Sequence, residues 1–553
     1  MTADPADQPA AARAEADRFV ALAERAIATY CQEYPAQATV LGNHDFDDRL
    51  GYPTTTAASR RRAELNRLLD DLDGFEALPA ELLADRDILR TRTRAELLRL
   101  GELDEPSWDA LQHNPGSALY ALISQEFAPL PDRLASVSSR LRSIPDYLAA
   151  ARARLGEPSP VHVETAISQL EGTHHLITGE VRRLATEAGV ELAAESDIAA
   201  AAVRDHQQWL RQQLPRSHRS ARLGPDLFAR KLALTLATPW EPQALLAQAY
   251  DDLARVEAEL AELAGGGPER IQAAFDGLAV DAPTSDTILA SCRAALAETT
   301  DFVAEHELLT LYHDPVEVQE MPEIDRGIAV AYCQPVGPLE SAPLRTRFAV
   351  SPTPADWPPA RVSSFYREYN NYMLHNLTVH EAMPGHVEQL SHSHRYRGRT
   401  QVRGVFASGS FIEGWAVYAE ELMARYGYRS SISADAARGV RMQQLKMQLR
   451  MIINTILDIS FHAAELDEAA AMALMTGRGF QEEGEAAGKW RRVQLTSTQL
   501  CTYYVGYLEV RQLAEDLQAV HPGWTLRQLH DTMLAQSNPP VRQLRTLLGL
   551  PAR

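Results

Sequence analysis

The strongest constraint on the fold is a helical habit that runs almost from one end of the chain to the other. Apolar residues recur at helical spacing, starting with Phe19, Ala23, Ala26, Ile27 and Tyr30 in a stretch rich in Ala, Glu and Arg at 9–32. The habit returns near 58–74, 80–102, 131–155, 161–187, 190–213, 242–264, 285–306, 363–382, 434–465, 486–518 and 525–536. Short loops punctuate it at Glu105-Pro106-Ser107, Gly156-Glu157-Pro158 and Gly265-Gly266-Gly267-Pro268, all turn-forming sequences. Helices of the same character continue on both sides of the last loop, so it does not mark a domain boundary. Such a chain is mainly α. One region departs from the pattern. Residues 327–351 carry two β-leaning runs, GIAVAYC and RTRFAVS, separated by QPVGPLESAPL, which predict a small hairpin or edge sheet. A strand there would present backbone groups to an extended peptide; a purely structural hairpin accounts for the pattern equally well.

Composition narrows the function classes. With 553 residues and 45% hydrophobic content the chain can bury a large core. Its 54 basic and 74 acidic residues give a formal net charge of −20. Such a surface repels phosphate backbones and anionic headgroups, so neither a nucleic acid nor a membrane is an expected partner. Cys31, Cys292, Cys333 and Cys501 are far apart and form no C-x-x-C pair, which argues against a disulfide framework or a cysteine zinc site. The N-terminus, MTADPADQPAAARAEADRF, lacks a basic region followed by an apolar run, and no apolar segment has transmembrane length. The expected location is cytoplasmic. Nothing in the sequence indicates an oligomeric state.

The chemistry concentrates in NNYMLHNLTVHEAMPGHVEQLSHSH, residues 370–394. It contains His380-Glu381-Ala382-Met383-Pro384-Gly385-His386. In the familiar H-E-x-x-H zinc helix, two histidines one turn apart face one metal and the Glu between them is the general base. Here the histidines are two residues further apart. On a regular helix a six-residue step leaves the second ring about 120° from the first and about 9 Å along the axis. Pro384 lacks an N–H, and its ring clashes with the carbonyl four residues back, which belongs to His380. The helix must therefore distort between the histidines; a π-bulge is one way to absorb extra residues. Taken alone, this spacing fits a metal site and a helix-capping His386 equally. A third ligand candidate lies downstream in SGSFIEGWAVYAEELMARYGY, residues 408–428. Glu413 opens an amphipathic helix among Phe411, Ile412, Trp415 and Val417, an apolar setting unlike a solvated acidic face. Glu420 lies seven residues on, near the same face, where it could orient His380 or His386.

These stretches resemble the bacterial domain-of-unknown-function 885 family of zinc peptidases. The resemblance is carried by YPAQATVLGNHDFDDRL (34–50), LTVHEAMPGH (377–386), FIEGWAVYAEEL (411–422), QLCTYYVGYLEVRQL (499–513) and LRQLHDTMLAQSNPPVRQLRTLL (526–548). The family looks like a relative of thimet oligopeptidase and angiotensin-converting enzyme. That likeness implies a large two-lobed helical fold with a deep central channel, a single catalytic domain divided into a helical lobe at about 10–310 and a metal-site lobe at about 311–553. It also implies His380, His386 and Glu413 as ligands of one Zn2+, other divalent metals being open to the same N and O donors, and Glu381 as general base. Tyr503 stands where the family usually has a Tyr, three residues before Gly506, and a phenol there could donate to an oxyanion; Tyr504 is a second candidate, and a packed core Tyr is the structural alternative. Two positions depart from the family. It commonly has a second His directly after Pro-Gly-His, where this chain has Val387, so His386 is the remaining ligand candidate in the motif. It often has a Lys after the Tyr, where this chain has Tyr504.

The expected activity is hydrolysis of short peptides or small amides. Arg347 and Arg511 are candidates for holding a substrate carboxylate, against the commoner role of a surface ion pair. Two other readings fit the same residues: a hydrolase recruited to a non-peptide amide or ester, and a binding protein whose metal site has decayed.

Overall fold

The computed structural model describes residues 10–321, 330–354 and 357–551. It is mainly α, as expected, with one three-stranded sheet. The helices follow the predicted segments closely: Ala10–Glu33, Ala80–Leu100, Leu130–Arg154, Pro242–Ala264 and Ala434–Ala463 among them. Two predicted helices are each split in two, and both breaks have a local cause. The stretch expected at 363–382 is divided at Asn370, whose side chain accepts from Met373 N at 3.2 Å and caps a new helix, Asn371–Glu381, a role for which Asn is well suited. The stretch at 486–518 is divided between Glu483–Leu495 and Thr502–Val520. There the buried Asp458 carboxylate accepts the backbone N–H groups of Thr498, Leu500 and Cys501, satisfying donors that a continuous helix would have used itself.

The chain forms two compact units. The first comprises residues 1–221, 336–344 and 398–406, and the second comprises 222–335, 345–397 and 407–553. The break expected near residue 310 thus falls at 221/222, because the helices of 225–305 belong with the second unit: Pro242–Ala264 packs on Ala434–Ala463, and Ile288–Glu305 packs on Asn371–Glu381. In the first unit, Leu119, Leu122, Leu134, Val137, Leu141 and Ile144 centre the core. The 34–50 motif builds polar joints around it. Thr39 donates to Asp47 at 2.6 Å, Arg140 donates to Thr39 at 2.8 Å, and His44 bridges Asp47 and Glu340 at 2.9 Å each. Gly42 has φ +85°, and a Cβ there would lie 2.4 Å from Glu340 N, so only glycine fits this turn.

The second unit holds the sheet. Strand β1 (Val316–Glu320) pairs in parallel with β3 (Thr346–Val350), and β2 (Ala331–Gln334) pairs antiparallel with β3, giving the order β1-β3-β2. The predicted hairpin is therefore present as β2 and β3, although residues 327–329 of its first run lie outside the described residues. Strand β1, VEVQE, was not predicted, because its acidic and amide side chains mask its alternation. The four cysteines are free thiols, as their spacing suggested.

Candidate metal centre

The helix Asn371–Glu381 stops one residue after His380, and a new helix, His386–Ser393, starts at the second histidine. The distortion expected between the histidines is thus a complete break rather than a π-bulge. Thr378 O accepts from both Ala382 N and Met383 N, and Val379 O accepts from Gly385 N at 2.9 Å. These bonds close the chain back on the helix end. A Cβ on Gly385 would sit 1.9 Å from His380 O, so the fold-back requires glycine. The Met383–Pro384 peptide is cis. Trp415, wholly buried, donates its indole N–H to Pro384 O at 2.8 Å, tying the break to the helix that carries Glu413.

That helix, Gly409–Arg425, starts at Ser408, whose hydroxyl accepts from Phe411 N. Glu413 then faces both imidazoles. Its Oε2 lies 3.4 Å from His380 Nε2 and 3.6 Å from His386 Nε2, and the two rings are 4.8 Å apart and nearly perpendicular. Donors held about 2 Å from one tetrahedral zinc stand about 3.3–3.5 Å from one another. The observed spacings match that figure, and the two N and one O donors suit the metal. On the far side of the first ring, His380 Nδ1 meets Glu420 Oε1 at 2.7 Å, while Glu420 Oε2 accepts from Asn376 at 2.7 Å. The Glu420 contact holds the ring so that Nε2 faces Glu413. Burial opposes charge on Glu413, but the two imidazoles outweigh it and hold the carboxyl below its usual range. His386 Nδ1 is buried with no hydrogen-bond partner among the described residues.

Glu381 follows His380 and turns toward the sheet. Its Oε2 accepts from Cys333 N in β2 at 2.9 Å, so the edge strand holds the carboxylate. Tyr503 also reaches this site. Glu413 is the foremost cause of its raised phenol pKa, with burial second. Tyr504 does not: its side chain is fully buried and its hydroxyl donates to Asp252 at 2.5 Å. Neighbouring helical residues point about 100° apart, so only one of the two tyrosines can face Glu413 and the two histidines. Val387 packs in an apolar cluster with Leu374, Leu377, Ala382 and Met383. Of the two arginines expected to hold a carboxylate, Arg511 is engaged by Tyr507 and Glu515, and Arg347 lies in β3 between Glu317 and Gln334. Sequence reasoning missed two residues at the site, Trp415 and Arg492. The charge of the second pulls the Tyr503 phenol pKa back down against Glu413 and burial.

A family model described as a bacterial protein of unknown function (DUF885) matches residues 35–548. Among solved structures, a candidate lipoprotein of unknown function from Shewanella oneidensis is 28% identical with a TM-score of 0.82, covering 96% of this chain and 99% of that one. A candidate lipoprotein from Colwellia psychrerythraea is 16% identical with a TM-score of 0.79, covering 97% and 99%; it shares the fold. An M32 carboxypeptidase from Deinococcus radiodurans R1 aligns at 12% identity over 90% of this chain and 96% of its own, with a TM-score of only 0.29, too low to carry an argument. No curated protein matches. The lipoprotein designation of the first two does not accord with the cytoplasmic location expected from the sequence. Among the described residues, no helix is long and apolar enough to cross a membrane.

Proposed function

The chain belongs to the DUF885 family, and from that premise we propose that it is a zinc-dependent hydrolase of amide bonds in short peptides or small amides. The observation that carries this reading is the convergence of His380 Nε2 and His386 Nε2 on one Glu413 oxygen at 3.4 and 3.6 Å, with Glu381 adjacent to the first ligand. His380, His386 and Glu413 would hold the ion, with Glu420 orienting His380. A zinc ion bound there supplies Lewis acidity, which polarises a carbonyl and makes water acidic enough to deprotonate near neutral pH.

The chain's own groups do the rest. Glu381, steadied by Cys333 N, takes the proton of the attacking water and passes it to the leaving amine. The Tyr503 hydroxyl donates to the oxyanion as the carbonyl carbon becomes tetrahedral. The Glu413 charge and burial both raise the pKa of that phenol, and the protonated form is the one an oxyanion donor needs.

Metal analysis of the purified protein combined with a panel of dipeptides and tripeptides tests the reading. One zinc per chain and turnover abolished by Glu381→Gln with the metal retained are the expected results. Protein that takes up no stoichiometric metal, or turnover that survives Glu381→Gln, overturns it.

A further inference from the structure

The turn that carries Gly42 sets one imidazole between two carboxylates. His44 Nδ1 lies 2.9 Å from Asp47 Oδ2, and His44 Nε2 lies 2.9 Å from Glu340 Oε2. A neutral imidazole has one N–H and one lone pair, so it donates to only one carboxylate and turns its lone pair on the other. Satisfying both contacts takes the imidazolium, in which both nitrogens donate. The surroundings favour that form. The ring stacks on Phe127, with centroids 3.8 Å apart and 10° between the planes, a placement that suits a cation. Burial opposes charge on His44, but Asp47 and Glu340 outweigh it and raise its pKa above the usual value. Other charged groups lie nearby. Asp45 is next to His44 in sequence, Arg140 Nη2 is 3.9 Å from Asp47 Oδ1, and the Arg133 guanidinium is 5.9 Å from the Phe127 ring. Glu24 and Arg399 line the same cavity of about 590 Å³ as His44, and Arg399 is paired with Asp17.

The two carboxylates are not equivalent. Asp47 sits on the same turn as His44, and its Oδ1 also accepts from the Thr39 hydroxyl at 2.6 Å. Glu340 comes from a distant segment. Its Oε1 accepts from Ala342 N at 2.7 Å within that segment, and its Oε2 is the atom that reaches His44. Loss of one proton from the ring therefore leaves Nδ1–H on Asp47 and sets the Nε2 lone pair against Glu340. We propose that His44 is a pH-operated latch: as the imidazolium it fastens residues 336–344 to the 42–50 turn, and on deprotonation in alkaline solution it lets Glu340 go and loosens that segment. The hold is complete below about 6.5, where an unfolded His is charged as well, and is lost as the pH rises through the raised value of the folded state. Leu339 N donates to Leu41 O at 2.9 Å beside the latch, so release begins at Glu340 and works against one further bond. Residues 336–344 form most of the connection between β2 and β3, and the latch governs the mobility of that connection. None of this depends on the hydrolase reading.

Hydrogen-exchange mass spectrometry of the full-length protein reads the latch. Protection of the 336–344 peptide is corrected for the intrinsic rate at each pH and followed from about pH 5.5 to about pH 9.5, with the helix Leu130–Arg154 as internal control. In the wild type it falls about tenfold or more as the pH rises, the loss expected for one charge-assisted hydrogen bond, while the control helix keeps its protection. The midpoint lies above the value of about 6.5 for a free imidazole. Glu340→Gln offers the neutral ring an amide N–H in place of a carboxylate, so its 336–344 segment stays protected across the range. His44→Gln has no ring to titrate and shows no step. Protection in the wild type that does not change with pH, a midpoint at or below about 6.5, or a step that persists in His44→Gln or in Glu340→Gln overturns the latch.

Discussion

Gly414 and Gly506 meet backbone to backbone where the helices Gly409–Arg425 and Thr502–Val520 cross: a Cβ on Gly414 would lie 2.3 Å from the carbonyl carbon of Gly506, and one on Gly506 would lie 1.9 Å from Ser410 O. Glu413 is the residue before the first glycine, and Tyr503 stands one turn before the second. The close crossing is what places Glu413 of one helix beside the Tyr503 phenol of the other. Gly506→Ala therefore forces the helices apart. The expected cost is at least about 1–3 kcal/mol of stability, the range for overpacking, with loss of zinc stoichiometry. Denaturant titration together with metal analysis checks it; a variant of unchanged stability and full metal content would refute the role of the crossing.

Glu420 holds His380 Nδ1 at 2.7 Å from a nearly fully buried position. Glu420→Gln should weaken zinc affinity about 10–100-fold, the usual effect of removing a carboxylate behind a ligating histidine. Competition with a chromophoric chelator reads the change directly. Trp415→Phe is predicted to act on the same centre from another side. It removes the donor to Pro384 O and leaves a buried carbonyl unpaired, at a cost of about 1–3 kcal/mol, visible as a lower melting temperature.

Adjacent tyrosines should separate cleanly. Tyr503→Phe is expected to lower kcat by about 10²-fold or more, the loss typical of one oxyanion donor. Tyr504→Phe takes a donor from Asp252 and should cost about 1–2 kcal/mol of stability without lowering kcat. Parallel kinetics and urea titrations distinguish the two patterns, and the reverse assignment would show as a kcat effect at Tyr504.

Acid should act through His530. The ring is wholly buried, Nδ1 faces Leu308 O at 2.6 Å and Nε2 faces the Tyr418 hydroxyl at 3.0 Å. Burial pushes its pKa down to about 4. An unfolded His takes up its proton near 6.5. Between these values the unfolded state binds more protons, so stability due to this group is complete above about 6.5 and is lost as the pH falls toward 4, by up to about 1.4 kcal/mol per pH unit. His530→Gln is less stable than the wild type at pH 7 but lacks this acid penalty. The gap between the two in urea titrations should narrow by about 1–2 kcal/mol from pH 7 to pH 5; a constant gap would show that His530 is not buried neutral.

Local information determined much of this protein. Helical periodicity gave nearly every long helix, and the spacing of His380, Glu381 and His386 around Pro384 and Gly385 required a distortion that the chain makes. Glu413 was legible from its apolar setting, and Glu420 because a heptad step keeps it near the same helix face. Tertiary structure decided what depends on groups distant in sequence. Whether the distortion was a bulge or a break was settled by Trp415 and the fold-back onto Thr378 and Val379. That Tyr504 turns away from Glu413 was decided by Asp252, some 250 residues earlier in the chain. The division between the units at 221/222 and the parallel strand β1 were likewise hidden, since both depend on which helices and strands pack together rather than on local pattern. Periodicity and propensity are properties of neighbouring residues, whereas desolvation and charge balance exist only once distant segments have closed around them.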